Sequence, residues 1–134
     1  MKSKRYLFSF LLVIVTFLFS ATAFAKKSND KAVLAFDKTK IEVGEVKLNS
    51  VTPIEFTFKN KGKKSLVIMN ALSGCPCITV EYPKEPIAKG KKGKIIVKFD
   101  STNMRLGAMQ KNVSVMSNST EGTQQLVFNI TIVQ

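Results

Sequence analysis

The sequence predicts an all-β domain, an antiparallel two-sheet β-sandwich of about seven strands. Three observations predict it. Apolar and polar side chains alternate through most of the chain beyond residue 33, the period-two pattern of strands that bury one face. Short clusters of Gly, Asn, Ser and Lys interrupt these runs at the spacing of turns between strands. No window beyond residue 25 carries the 3.6-residue apolar stripe of an amphipathic helix.

The elements follow in order. Lys2, Lys4 and Arg5 form a basic start, and an apolar stretch over residues 6–19 is broken only by Ser9 and Thr16. Ala23 and Ala25 then place small side chains at −3 and −1 of a cut before Lys26, the pattern of a secretory signal peptide over residues 1–25. The apolar core of about 14 positions is short against the roughly 20 a membrane span needs, so a retained anchor is the weaker alternative. No Cys stands at the cut, so no lipid anchor is expected. The cleaved protein is expected to be soluble and exported, periplasmic or extracellular, without a stable membrane span. Its thiols then meet an oxidising compartment.

Residues 26–32 are polar and expected to be a flexible N-terminal segment; residues 33–134 form the sandwich. Short strands are predicted at 33–36, 41–46 and 78–82. Ile54, Phe56 and Phe58 alternate with Glu55, Thr57 and Lys59. Residues 65–72 are more uniformly apolar, which predicts a central strand buried on both faces. Ile95, Val97 and Phe99 mark the next strand, Val113 and Val115 another, and Leu126, Phe128, Ile130 and Ile132 the last. Residues 60–63, 89–93 and 117–122 read as turns, Pro83 and Pro86 bracket an extended connector, and Asp100-Ser101-Thr102 reads as a side-chain-capped turn. The expected core is Phe36, Val43, Phe56, Phe58, Ile68, Ile95, Val97, Phe99, Val113, Val115, Leu126, Phe128 and Ile130.

Several motifs in this order resemble a known family. Ile41-Glu42-Val43-Gly44-Glu45-Val46, Ile54-Glu55-Phe56-Thr57-Phe58-Lys59-Asn60-Lys61-Gly62 and Leu66-Val67-Ile68 come first. Cys75-Pro76-Cys77, Glu81-Tyr82-Pro83, Ile87-Ala88-Lys89-Gly90, Gly93-Lys94-Ile95-Ile96-Val97-Lys98-Phe99-Asp100 and Lys111-Asn112-Val113-Ser114-Val115 follow, and Ser117-Asn118 closes the series. Together they resemble the exported bacterial family called domain of unknown function 1573. That family is similar to the immunoglobulin-like sandwiches of major sperm protein and of the domains named for abnormal spindle and hydin. The resemblance implies a fold and an export route, and no reaction. The chain departs from it at Gly74-Cys75-Pro76-Cys77-Ile78, where Ser-Cys-Gly-Cys-Thr is more typical.

Composition excludes several chemistries. The 134 residues contain no His and no Trp, so a His-dependent triad and His-ligated zinc or haem are excluded within this chain. There is no nucleophile elbow, phosphate loop or dinucleotide fingerprint. Glu42 and Glu45, or Glu81 and Glu85, are the nearest to paired carboxylates, and nothing in their spacing holds them across a cleft. No cofactor is expected.

Cys75 and Cys77 are the reactive pair, with three readings open. Residues i and i+2 of an extended segment lie roughly 6.6 Å apart, at the long end of what a disulfide spans, so a disulfide there needs a tightened backbone. A redox-active pair is the second reading. A copper(I) or zinc site is the third, although two thiolates are few and Met69, Met104, Met109 and Met116 are scattered.

Charge is the remaining signal. Lys+Arg is 21 and Asp+Glu 9, net +12; residues 1–25 hold three basic and no acidic side chains, so removing them leaves net +9. Lys59, Lys61, Lys63 and Lys64 surround one turn, and Lys84, Lys89, Lys91, Lys92 and Lys94 crowd another stretch. Lys89, Lys91, Lys92 and Lys94 are the candidate anion-binding loop; the competing reading is solvated lysines that protect sheet edges. Nucleic acid is not expected as a partner, because the protein is exported and the basic runs lack aromatic side chains for stacking. The sequence thus reads as an exported, non-enzymatic binding or scaffold module whose partner is another envelope protein or a polyanionic envelope component. A thiol-based redox or copper/zinc-binding protein is the alternative.

Overall fold

Alternation becomes eight strands in the computed structural model, which describes residues 30–134. They are β1 (Leu34–Phe36), β2 (Lys40–Lys47), β3 (Val51–Asn60), β4 (Ile68–Leu72), β5 (Ile78–Glu81), β6 (Lys92–Asp100), β7 (Gly107–Ser117) and β8 (Thr123–Val133). The expected signal segment lies outside the described residues. Among those residues no helix is long and apolar enough to cross a membrane. Residues 30–32, at the end of the segment expected to be flexible, contact the sandwich: Lys63 N–H donates to Lys31 O, and Ala32 is buried.

The strands form two four-stranded sheets, ordered β1-β3-β6-β5 and β2-β8-β7-β4. All neighbours are antiparallel except β2 and β8, which run parallel. The sandwich is therefore mixed at that one edge. A bulge between Glu42 and Gly44 shifts the β2 register there, and Gly44 has φ +84°, a left-handed conformation that glycine adopts without steric cost.

Each sheet turns one parity inward. Ile54, Phe56 and Phe58 of β3 and Ile95, Val97 and Phe99 of β6 meet Val113 and Val115 of β7 and Leu126, Phe128 and Ile130 of β8, all buried. The rings of Phe99 and Phe128 meet edge to face across the two sheets, 6.1 Å apart. Each buried apolar side chain of this size contributes about 1.5–3 kcal/mol. Of the expected core, only Phe36 and Val43 are partly buried, at its margin. Gly93 stands opposite Phe58 in register, and a Cβ there would lie 2.5 Å from the phenyl Cζ, so the ring occupies the space a side chain would need.

The expectation of a central strand at residues 65–72 is corrected. Leu66 is buried through a separate bridge with Ile87, while β4 lies at the edge of its sheet, paired only to β7. Met69 is 53% exposed and Leu72 61%. A bulge between Ile68 and Asn70 interrupts the alternation, so an apolar run that resembles a doubly covered strand has one face in water.

Two turns brace the sandwich. Thr102 donates its backbone N–H to Asp100 Oδ1 at 2.9 Å, and its hydrogen bonds, side chain first, hold the Asp100 carboxyl below the usual carboxylate range. Buried Ser101 donates Oγ–H to Lys47 O at 2.6 Å and accepts from Ser50 N–H at 2.9 Å. That pair ties the β2–β3 turn to the end of β6.

Candidate functional site

Asn60 organises the basic end of the molecule. It keeps the inward parity of Ile54, Phe56 and Phe58 and is fully buried where β3 ends. Its Nδ2 donates to Lys64 O at 2.8 Å and to Ile87 O at 2.9 Å; its Oδ1 accepts from Gly62 N–H at 2.9 Å and Val33 N–H at 3.4 Å. Its backbone N–H donates to Lys91 O, and its carbonyl accepts from Gly90 N–H. Through its side chain and its backbone together, this one residue stitches the segment around residue 33, the turn after β3 and the turn before β6. Gly62 completes the joint: a Cβ there would overlap Lys31 O and Val33 N.

These turns carry lysines. Lys59 and Lys92 are direct cross-strand partners on the outer face of the β1-β3-β6-β5 sheet. Like charges so placed repel, and here ladder hydrogen bonds outside and the Phe58–Gly93 packing inside hold them together. Lys61, Lys64, Lys89 and Lys91 are exposed on the two adjoining turns. Lys63 pairs with Asp30 at 3.5 Å. Of the candidate loop, Lys89, Lys91 and Lys92 therefore sit at this end. Lys94 instead pairs with Glu55 at 3.0 Å further along the sheet, and Lys84 lies 3.4 Å over the Tyr82 ring. The sequence showed two lysine clusters; their meeting rests on the β3–β6 register, and Asn60 as its organiser was missed although its parity pointed inward.

The second candidate is the crossover between sheets. β4 belongs to one sheet and β5 to the other, and the chain passes between them through residues 73–77. Ser73 Oγ–H donates to Asn112 O at 2.9 Å, holding the crossover to β7. Asp100 N–H donates to Cys77 O at 2.8 Å, holding its other end to β6. Between these anchors Ile78 N–H donates to Cys75 O at 3.1 Å, closing a β-turn with Pro76 at its second position, where its fixed φ fits. Cys75 and Cys77 are disulfide-bonded with Cα atoms 5.1 Å apart. The turn supplies the tightened backbone that a disulfide at this separation needs. Both cysteines are half-buried and Pro76 is exposed. Lys111 Nζ lies 3.8 Å from Cys75 Sγ, and Cys77 N–H points at the same sulfur, 3.4 Å away. Among the described residues no group of three or more His, Cys, Asp or Glu side chains gathers as metal ligands.

The outer face of the second sheet carries a row of amides beside the Lys40–Glu42 ion pair. Gln110 Nε2 donates to Asn129 Oδ1, Asn112 Nδ2 to Gln125 Oε1, and Asn129 Nδ2 to Glu42 Oε1. Glu42, Gly44, Met109 and Asn129 border an open depression of about 410 Å³ beside the β2 bulge.

A family model described as protein of unknown function, DUF1573, matches residues 34–132. The chain belongs to the DUF1573 family. No curated protein matches it in sequence. Among solved structures, the DUF1573 chain is similar to a protein of unknown function from Porphyromonas gingivalis W83, with TM-score 0.65 and 13% identity over 80% of this chain and 50% of that one. It thus spans half the length of that protein. A PapD-like (ASH) domain of human CEP192 gives TM-score 0.60 and 8% identity over 78% of this chain and 88% of that domain. The periplasmic chaperone SfaE gives 0.53 and 10% over 74% and 56%. At such identities the likeness is one of fold.

The crossover in this DUF1573 domain is held by a turn hydrogen bond and two anchors as well as by sulfur. Replacing both cysteines by serine is accordingly expected to leave cooperative folding intact and to cost about 1 kcal/mol, because the loop closed is so short. Urea unfolding of oxidised wild type and the double variant measures this; a loss of about 4 kcal/mol would mean that the bond, not the turn, holds the crossover.

Proposed function

We propose that this domain is an exported binding module, not an enzyme, and that its lysine-bearing end holds a polyanionic polymer of the cell envelope. The observation that carries the reading is the Asn60 joint, which fixes Lys59 against Lys92 and gathers Lys61, Lys64, Lys89 and Lys91 beside them. A protein that only needed solubility gains nothing by setting two lysines in direct register on adjacent strands. An anionic partner relieves that repulsion. Lysine is a point charge on a flexible stem, suited to a repeating anion without fixed geometry, whereas planar bidentate recognition favours arginine. Arg105 is the one arginine beyond residue 25, and it follows β6 at the far end of the sandwich.

The test uses long-chain polyphosphate and polygalacturonate as probes, titrated at low and high salt. Lys59→Glu with Lys92→Glu should weaken binding by about tenfold or more and flatten its salt dependence. Lys47→Glu with Arg105→Glu makes the same charge change at the opposite end and should leave binding close to wild type. Equal losses in both pairs would reduce the site to net charge. Recovery of an envelope protein and no polymer in a pull-down would replace the ligand class.

A further inference from the structure

We propose that the Cys75–Cys77 disulfide is a thiol-exchange site of fixed polarity, with Cys77 the sulfur attacked and Cys75 the sulfur that leaves. The argument starts from Lys111. It shares the inward parity of Val113 and Val115 on β7 and stands opposite buried Phe128 in register. A lysine at an inward position has its ammonium directed to a specific acceptor or to the rim, and here it reaches Cys75 Sγ, at 3.8 Å. A second donor, the Cys77 N–H, meets the same atom at 3.4 Å. Two donors converging on one sulfur contribute little to a neutral disulfide and much to a thiolate. Cys77, by contrast, packs against the apolar core, a poor place for a sulfur anion.

The exchange follows from that asymmetry. A low-molecular-weight thiolate attacks Cys77 Sγ and forms a mixed disulfide there. The Cys75–Cys77 bond breaks, and its electron pair leaves on Cys75 Sγ as a thiolate held by Lys111 Nζ and the Cys77 N–H. The incoming sulfur is oxidised to the disulfide level while Cys75 is reduced, so the step balances without a further reagent. In reverse, the Cys75 thiolate attacks Cys77 Sγ and expels the small thiol. Lys111 touches the leaving atom and is a catalytic residue for this exchange, since a better-stabilised leaving thiolate departs faster. The site lies on the crossover, and neither depends on the lysine-bearing end nor shares a residue with it.

The experiment treats the oxidised protein with glutathione, quenches with acid at short times and maps the adduct by peptide mass spectrometry. Glutathione is expected on Cys77. Lys111→Met, which suits an inward position, should slow adduct formation about three- to tenfold, and Lys111→Arg should restore most of the rate. Glutathione on Cys75, or evenly on both cysteines, overturns the proposal. So does a folded Lys111→Met protein that reacts at the wild-type rate. Should Lys111→Met fail to fold, the adduct position in the unaltered protein still decides.

Discussion

Phe99→Ala is expected to lower the unfolding free energy by about 3–5 kcal/mol, a large part of the stability of a domain this size. Phe99 is fully buried on β6, with Thr52 of β3 in register on one side and Ile78 of β5 on the other. Its ring meets Phe128 of the opposite sheet edge to face. Alanine would leave a void between the sheets, and ladder hydrogen bonds on both sides of β6 restrict the collapse that could fill it. Urea unfolding should show a much lower midpoint with little change in slope. An unchanged midpoint would mean that the two sheets do not meet at this ring.

Asn60→Leu should cost a comparable amount by a different route. The substitution keeps roughly the same shape and removes the side-chain partner of Gly62 N–H, Val33 N–H and Lys64 O, and one of the two donors to Ile87 O, which keeps Leu66 N–H. A buried polar group left without its hydrogen bond costs about 1–3 kcal/mol, and those that reach water cost less, so the expected loss is about 3–5 kcal/mol. The distinguishing readout is local. Amide hydrogen exchange should accelerate first at Val33 and Gly62, whose N–H groups lose their acceptor, while Val113 and Val115 stay protected. Anion affinity should fall as the turn carrying Lys61 and Lys64 loosens. Uniform acceleration across the domain would count against a localised joint.

The sandwich was legible where period-two patterning reports one-sided burial, as in Ile54-Glu55-Phe56-Thr57-Phe58 and in Leu126 to Ile132. Residues 65–72 misled for a physical reason: an edge strand with a bulge can be as apolar as a central one, and only its neighbours decide which faces are covered. The parallel β2–β8 pairing left no local mark, since both strands alternate as antiparallel ones do. At the basic end each lysine cluster was visible, but the Lys59–Lys92 juxtaposition depends on a register between residues 33 positions apart in sequence. Pro76 was ambiguous because its φ suits both an extended chain and the second position of a turn. The crossing from one sheet to the other, a tertiary fact, selects the turn. The approach of Lys111 to Cys75 spans 36 positions and had no signal in sequence.

The β2–β8 pairing also sets an order of events. Lys40 pairs with Val127 and Lys47 with Val133, so an early strand finds its one neighbour among the described strands at residues 127–133. Such distant pairings carry a large loop-closure cost and form slowly. A chain emerging amino-terminus first therefore cannot close this sheet until residue 133 is free, and β2 waits with an unpaired backbone until then. The topology therefore places completion of this sheet after that of the β1-β3-β6-β5 sheet, whose strands have all emerged by residue 100.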